Sequence, residues 1–135
     1  MSTAIITSDT SIHHLTGDGH PERPERVIAI TEKLKKRNDL IWDKPKKFDL
    51  DILKKAHDKK YIDMVQKSFP KKGLKFLDGD TVISPGSEKA TREAVGAILK
   101  AIDSVEQKKY KNAFCVVRPP GGCLLYTSPS PRDTG

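Results

Sequence analysis

Cysteine is scarce in this chain of 135 residues: only Cys115 and Cys123 occur, eight positions apart, with no histidine pair at finger spacing beside them. That pattern suggests neither a disulfide framework nor a zinc finger, and Cys115, inside the apolar run Ala113 to Val117, reads as a small buried side chain. Aromatic residues make up 6% of the chain, with one tryptophan. Long apolar runs are also missing. Nothing approaches the roughly 20 residues that a membrane-spanning helix needs. Met1 to Ile6 has neither the basic start nor the apolar core of a secretory signal, so a cytoplasmic location and no membrane partner are the expectation.

The chain is rich in positive charge. Lysine and arginine number 25 against 18 aspartates and glutamates, a net +7. Such a balance raises the question of nucleic acid, and a small basic nucleic-acid-binding protein is one alternative reading. The lysines come in short pairs (Lys35-Lys36, Lys46-Lys47, Lys54-Lys55, Lys59-Lys60, Lys71-Lys72, Lys108-Lys109), without the aromatic or arginine interleaving that base stacking requires. They read as solvated helix faces. With 36% apolar and 32% charged residues, the chain fits one modest globular domain or part of one.

Ala4-Ile5-Ile6-Thr7 has the form of a buried strand. Ile12 to Pro24, with three histidines, two glycines and two prolines, is a loop by composition. Glu25 to Arg37 carries Val27, Ile28, Ile30 and Leu34 at helical spacing behind Pro24 and predicts an amphipathic helix. Trp42 to Phe48 reads as a connection. Asp49 or Asp51 caps a short helix through Ala56, and Tyr61, Ile62, Val65 and Phe69 place a second helix over 59–69, ended by Pro70 and Gly73. Leu77 to Ser84 is a loop. Ser84-Pro85 then opens the longest helix, with Ser84 as cap and Pro85 in its first turn. The apolar stripe of that helix is Ala90, Ala94, Val95, Ile98, Leu99, Ile102 and Val105. Ala113 to Val117 is a continuous apolar run, the pattern of a strand covered on both faces, and it stops at Arg118-Pro119-Pro120-Gly121. Strand, helices and strand in that order predict an α/β fold.

Four segments carry a family resemblance. His14-Leu15-Thr16-Gly17-Asp18-Gly19-His20-Pro21-Glu22-Arg23-Pro24-Glu25-Arg26 resembles the first signature of the histone deacetylase, acetoin utilization protein and acetylpolyamine amidohydrolase family, in its bacterial form. His57-Asp58 followed by Tyr61-Ile62, then Asp80-Thr81-Val82-Ile83-Ser84-Pro85-Gly86-Ser87, and finally Asn112 to Gly121 are similar to later segments of the family, in the same order and spacing. Two departures stand out. Thr7-Ser8-Asp9 replaces the Thr-His-Asp of many members, and Gly122-Cys123 stands where the family has paired histidines. From Cys123 to Asp133 the chain resembles one reading frame of a sequencing-library adapter, so the expected division is a truncated deacetylase-like domain over 1–121 and a non-native tail over 122–135.

The resemblance implies the N-terminal part of an arginase/deacetylase-like three-layer fold with a mostly parallel sheet. It implies a zinc-dependent amidohydrolase acting on acetylated lysine or polyamine, with Zn2+ held by two Asp and one His from later strands, paired histidines assisting its water, and a Tyr steadying the oxyanion. None of those residues is in this chain, so the fragment is expected to be inactive, with no catalytic and no metal-ligating residue of its own. Of what remains, Asp80 is implied to accept hydrogen bonds from substrate backbone amides, with Asp78 as an alternative, and a plain turn cap is the competing reading. Gly121 is implied to line the acyl-lysine channel, where a side chain would block passage. His20, Pro21 and Arg26 are implied to line an internal cavity behind the zinc, the competing reading being a His-Pro turn and an arginine that pin the loop. Arg118, beside a buried strand end, is expected to pair with a carboxylate. A non-enzymatic scaffold of the same family is the further alternative.

Overall fold

Apolar runs near the two ends of the sequence meet at the centre of the fold. The structure, a computed structural model, describes residues 2–55, 57–76 and 82–119. In chain order its elements are β1 (Thr3–Thr7), a 3₁₀ turn (Asp9–His13), α1 (Pro24–Leu34), β2 (Leu40–Asp43), a second 3₁₀ turn (Leu50–Lys55), α2 (Lys59–Ser68), the short strands β3 (Lys75–Phe76) and β4 (Val82–Ile83), α3 (Ser87–Glu106) and β5 (Asn112–Val116). β1 lies between β2 and β5 and pairs with both in parallel, Ile5 standing opposite Trp42 on one side and Phe114 on the other. β3 and β4 form a separate antiparallel pair.

Two helices cover the sheet. α1 starts with Pro24 in its first turn, where the fixed φ of proline suits a helix and its missing N–H is not needed. It buries Val27 against Ile5 and Val116, with Leu34, Leu40 and Trp42 packed around them. The pleat turns Ala4 and Ile6 to the opposite face, where α3 packs on β1 and β5. Helix, sheet and helix form three layers with a parallel sheet between, the α/β arrangement expected of an arginase/deacetylase-like fold.

Local expectations change in three places. Leu40 to Asp43 is a strand, although the sequence from Trp42 reads as a connection; four residues give too little alternation to register, and Lys44-Pro45 ends them at once. α3 begins at Ser87, after Gly86 as N-cap, and Ser84 caps nothing: its hydroxyl accepts a hydrogen bond from the Leu15 N–H at 2.9 Å. The third change concerns which faces are covered. α3 docks through Ala90, Ala94, Gly96, Ala97 and Ser104, while Ile98, Ile102 and Val105 of the expected stripe stay exposed, and Phe114 of β5 is 54% exposed. Small side chains let α3 sit close to the sheet and the neighbouring chain; a Cβ on Gly96 would lie 2.3 Å from the Lys46 carbonyl oxygen.

Candidate functional site

In a parallel sheet all strands point their carboxyl ends to one edge, and ligand sites of α/β proteins lie off that edge. Three segments converge there: the loop leaving β1, the turn entering α3 and the chain leaving β5. Thr7 ties two of the strand ends, its hydroxyl donating to the Val116 carbonyl at 2.7 Å. Ser8, which stands where many family members carry histidine, caps the first 3₁₀ turn and donates to Glu93 of α3 at 2.7 Å.

Arg118 is the anchor of this edge. It is 2% exposed, and its guanidinium forms a fork with Glu22, Nε to Oε1 at 2.8 Å and Nη2 to Oε2 at 2.7 Å. Nη1 donates to the Ser11 carbonyl at 2.7 Å, and the Arg118 backbone N–H to the Ser11 hydroxyl at 3.1 Å. The planar donors of arginine match a carboxylate and a carbonyl together, which a lysine ammonium cannot do. Arg118 therefore joins β5 to the loop and does not face a ligand, as its place beside a buried strand end suggests. Thr16 strengthens the same joint, its hydroxyl donating to the Glu22 carbonyl at 2.5 Å.

His14 continues the network toward α3. Its side chain is fully buried, with Nδ1 2.6 Å from the Ser87 hydroxyl and Nε2 3.6 Å from Glu22 Oε2. Ser87 Oγ also accepts the Ser84 N–H at 2.8 Å, and His14 Nε2 is buried without a hydrogen-bond partner among the described residues, the Glu22 carboxylate at 3.6 Å being its nearest charge. Burial, together with the Arg118 charge, lowers the His14 pKa to about 4, against a smaller upward pull from Glu22. At neutral pH it is therefore uncharged. Gly86 lies against this loop so closely that a Cβ there would approach the His13 carbonyl oxygen at 2.4 Å.

The loop itself turns at Gly17 and Gly19, both at positive φ (95° and 79°), which explains why the Gly-x-Gly spacing of its motif needs glycine. A cavity of about 640 Å³ opens beside it, lined by Leu15 to Gly19, by Arg23, Pro24 and Glu25 at the start of α1, and by Gly73, Leu74, Ser84 and Pro85. The expected cavity residues lie nearby but not in that wall. His20 is half-buried, and its Nδ1 accepts the Glu22 N–H at 3.0 Å. Pro21 is exposed, and Arg26 is largely exposed with its guanidinium 3.6 Å from Glu22. Asp78, Asp80, Gly121 and Cys123 lie outside the described residues. Among the described residues no group of three or more His, Cys, Asp or Glu side chains is placed to hold a metal ion, so these residues alone do not fit a zinc site.

Glu22, Ser11 and Ser87 were not singled out by sequence reasoning. Glu22 and Ser87 stand inside quoted motifs, but nothing in the sequence says which motif side chains turn inward.

A parallel sheet, a glycine loop at its carboxyl edge and an arginine-locked strand end define an α/β protein with its candidate site at the sheet edge. The profile described as histone deacetylase domain matches residues 20–122, most of the chain, and the chain belongs to that family. It is 37% identical over 124 residues to an uncharacterised protein of Synechocystis sp., slr0245, covering 87% of this chain and 40% of that one. It is 28% identical over 126 residues to a protein of Archaeoglobus fulgidus described as "Probable deacetylase", covering 90% and 34%. Among solved structures the HDA15 HD domain superposes with a TM-score of 0.79 at 25% identity, covering 89% of this chain and 36% of that one. The chain thus spans well under half the length of these relatives.

Proposed function

We propose that this chain is the N-terminal part, residues 1–121, of a zinc-dependent enzyme that hydrolyses short acylamides such as acetyl-lysine or acetylpolyamine, followed by a non-native tail over 122–135. The observation that carries the reading is the joint formed by Arg118, Glu22 and His14. It fixes the His-Pro-Glu loop against the chain leaving β5, which supports reading the two as walls of one pocket at the sheet edge. In this reading Asp80 holds substrate amides, Gly121 lines the acyl channel, and His20, Pro21 and Arg26 line an inner cavity once further chain covers them. The zinc ligands belong to residues beyond Gly121. The enzyme is a cytoplasmic bacterial protein in the same reading.

The test begins at the gene. Its reading frame past the codon for Gly121 is expected to encode two adjacent histidines and, later, an Asp-x-His; the protein so encoded is expected to deacetylate an acetyl-lysine peptide and to lose that activity on chelation and regain it with zinc. A second reading, a scaffold without catalysis, is favoured by one observation, Gly122-Cys123 in place of the histidine pair. An intact frame lacking those histidines would establish the scaffold.

A further inference from the structure

The net charge of the chain is concentrated in one segment. Residues 44–76 hold eleven lysines and four aspartates, with no arginine and no glutamate, a balance of +7 equal to that of the whole sequence. Counting Asp78 and Asp80 as well leaves +5. All eleven lysines are exposed. Lys46 and Lys54 are engaged, by Asp103 and Asp51. Among the described residues no carboxylate pairs with Lys71, Lys72 or Lys75.

The place of these three lysines gives the charge a direction. Gly73 and Leu74, which wall the cavity beside the glycine loop, are held between Lys72 and Lys75, with successive Cα atoms about 3.8 Å apart. The wall also carries Asp18, Arg23 and Glu25, one net negative charge against the three lysines, so a ligand entering that cavity leaves its flanking groups in a positive local balance, within about one Debye length, ~10 Å at 0.1 M salt, of Lys71, Lys72 and Lys75. We infer that Lys71, Lys72 and Lys75, beside the cavity wall, form a docking surface for acidic residues flanking the acylated side chain of a peptide substrate, and that it disfavours polycationic acylamides such as acetylpolyamines. The inference rests on the deacetylase reading and chooses between its substrates.

Nucleic acid fits the same charge less well. The segment has no arginine for bidentate contacts to phosphates or bases. Of its aromatic residues Phe48, Tyr61 and Phe69 are half-buried, and Phe76 stands exposed without a second exposed ring in the segment, so the described residues offer no stacking platform. Lysines on flexible stems suit the dispersed carboxylates of an acidic peptide.

The experiment uses the complete enzyme and four substrates: acetyl-lysine peptides flanked by Asp and Glu, by Ala, or by Lys, and acetylspermidine. At low salt kcat/KM for the acidic peptide is expected to exceed that for the lysine-flanked peptide and for acetylspermidine by about tenfold, the lower end of electrostatic steering. In 1 M salt, where the Debye length falls to about 3 Å, the ratio shrinks to less than about twofold. The triple variant Lys71→Glu, Lys72→Glu, Lys75→Glu, whose fold is checked by its thermal melt, is expected to reverse the order. Equal rates whatever the flank, a preference that survives 1 M salt, or no reversal in a folded variant would overturn the inference. Tighter, salt-sensitive retention of duplex DNA than of the acidic peptide would also overturn it and assign these lysines to nucleic acid. Failure to turn over any substrate, zinc supplied, overturns the deacetylase reading itself and this one with it.

Discussion

At the scale of single residues the site depends on one ion pair and one neutral imidazole. Arg118 and Glu22 are both largely removed from solvent, and breaking such a pair by removing one partner leaves a buried charge uncompensated at a cost of about 3–5 kcal/mol. Arg118→Lys is therefore expected to destabilise the complete protein by at least about 2 kcal/mol, because an ammonium cannot reach both Glu22 oxygens and the Ser11 carbonyl at once. Urea denaturation measures it, and a change under about 0.5 kcal/mol would sink the claim that this fork ties β5 to the loop. His14 gives a pH signature. Unfolded, its imidazole titrates near 6.5; folded, burial and Arg118 hold it neutral down to about 4. Between those values the unfolded state binds the extra proton. The stability that His14 contributes is thus complete above about pH 6.5 and declines as pH falls, levelling near pH 4 after a loss on the order of 3 kcal/mol. Unfolding midpoints from pH 4 to 8 are expected to fall more steeply toward acid in the wild-type protein than in His14→Gln, and parallel curves would refute the assignment.

At the scale of elements, regular apolar spacing made most of the fold legible. β1 and α1 follow from Ile5 and Ile6 and from Val27 and Leu34, since a period of 2 or 3.6 states which side faces the core. Arg118 was legible as a residue in need of a carboxylate. Its partner was not, because Glu22 lies 96 positions away and only the folded chain brings them together. β2 escaped for its shortness. The docked face of α3 was legible only in part: Ala90 and Ala94 belong to the apolar stripe and are buried, but hydrophobicity also marks Ile98, Ile102 and Val105, which stay exposed, and passes over Gly96 and Ser104, which close approach selects. Gly96 shows the difference in sign. In an exposed helix interior Gly→Ala gains about 1 kcal/mol, but here the added Cβ meets the Lys46 carbonyl, whose backbone cannot swing aside as a flexible side chain could. Gly96→Ala is expected to destabilise by about 1–3 kcal/mol, as overpacking does, and thermal melts showing a gain would prove the contact to be loose.

At the scale of the whole molecule, the apolar surface left uncovered decides what this chain can do alone. Ile98 and Ile102 of α3 are 44% and 50% exposed, Phe114 of β5 is 54% exposed, and Ile28 and Ile30 of α1 are exposed as well. Two of those elements also carry the sheet's core, so the surfaces that need cover belong to the centre of the fold and not to a dispensable edge. Burying them returns about 25 cal/mol for each Å² removed from water, and a chain that cannot do so retains little margin over its conformational entropy. The 135-residue product by itself is expected to unfold over a broad temperature range, to bind a hydrophobic dye in buffer, and to show no deacetylation of an acetyl-lysine peptide with zinc present. The protein from the complete reading frame is expected to melt in one sharp transition without dye binding. Cooperative melting of the 135-residue chain, with no dye bound, would mean that α3 and β5 need no further cover and that these residues form a self-sufficient domain.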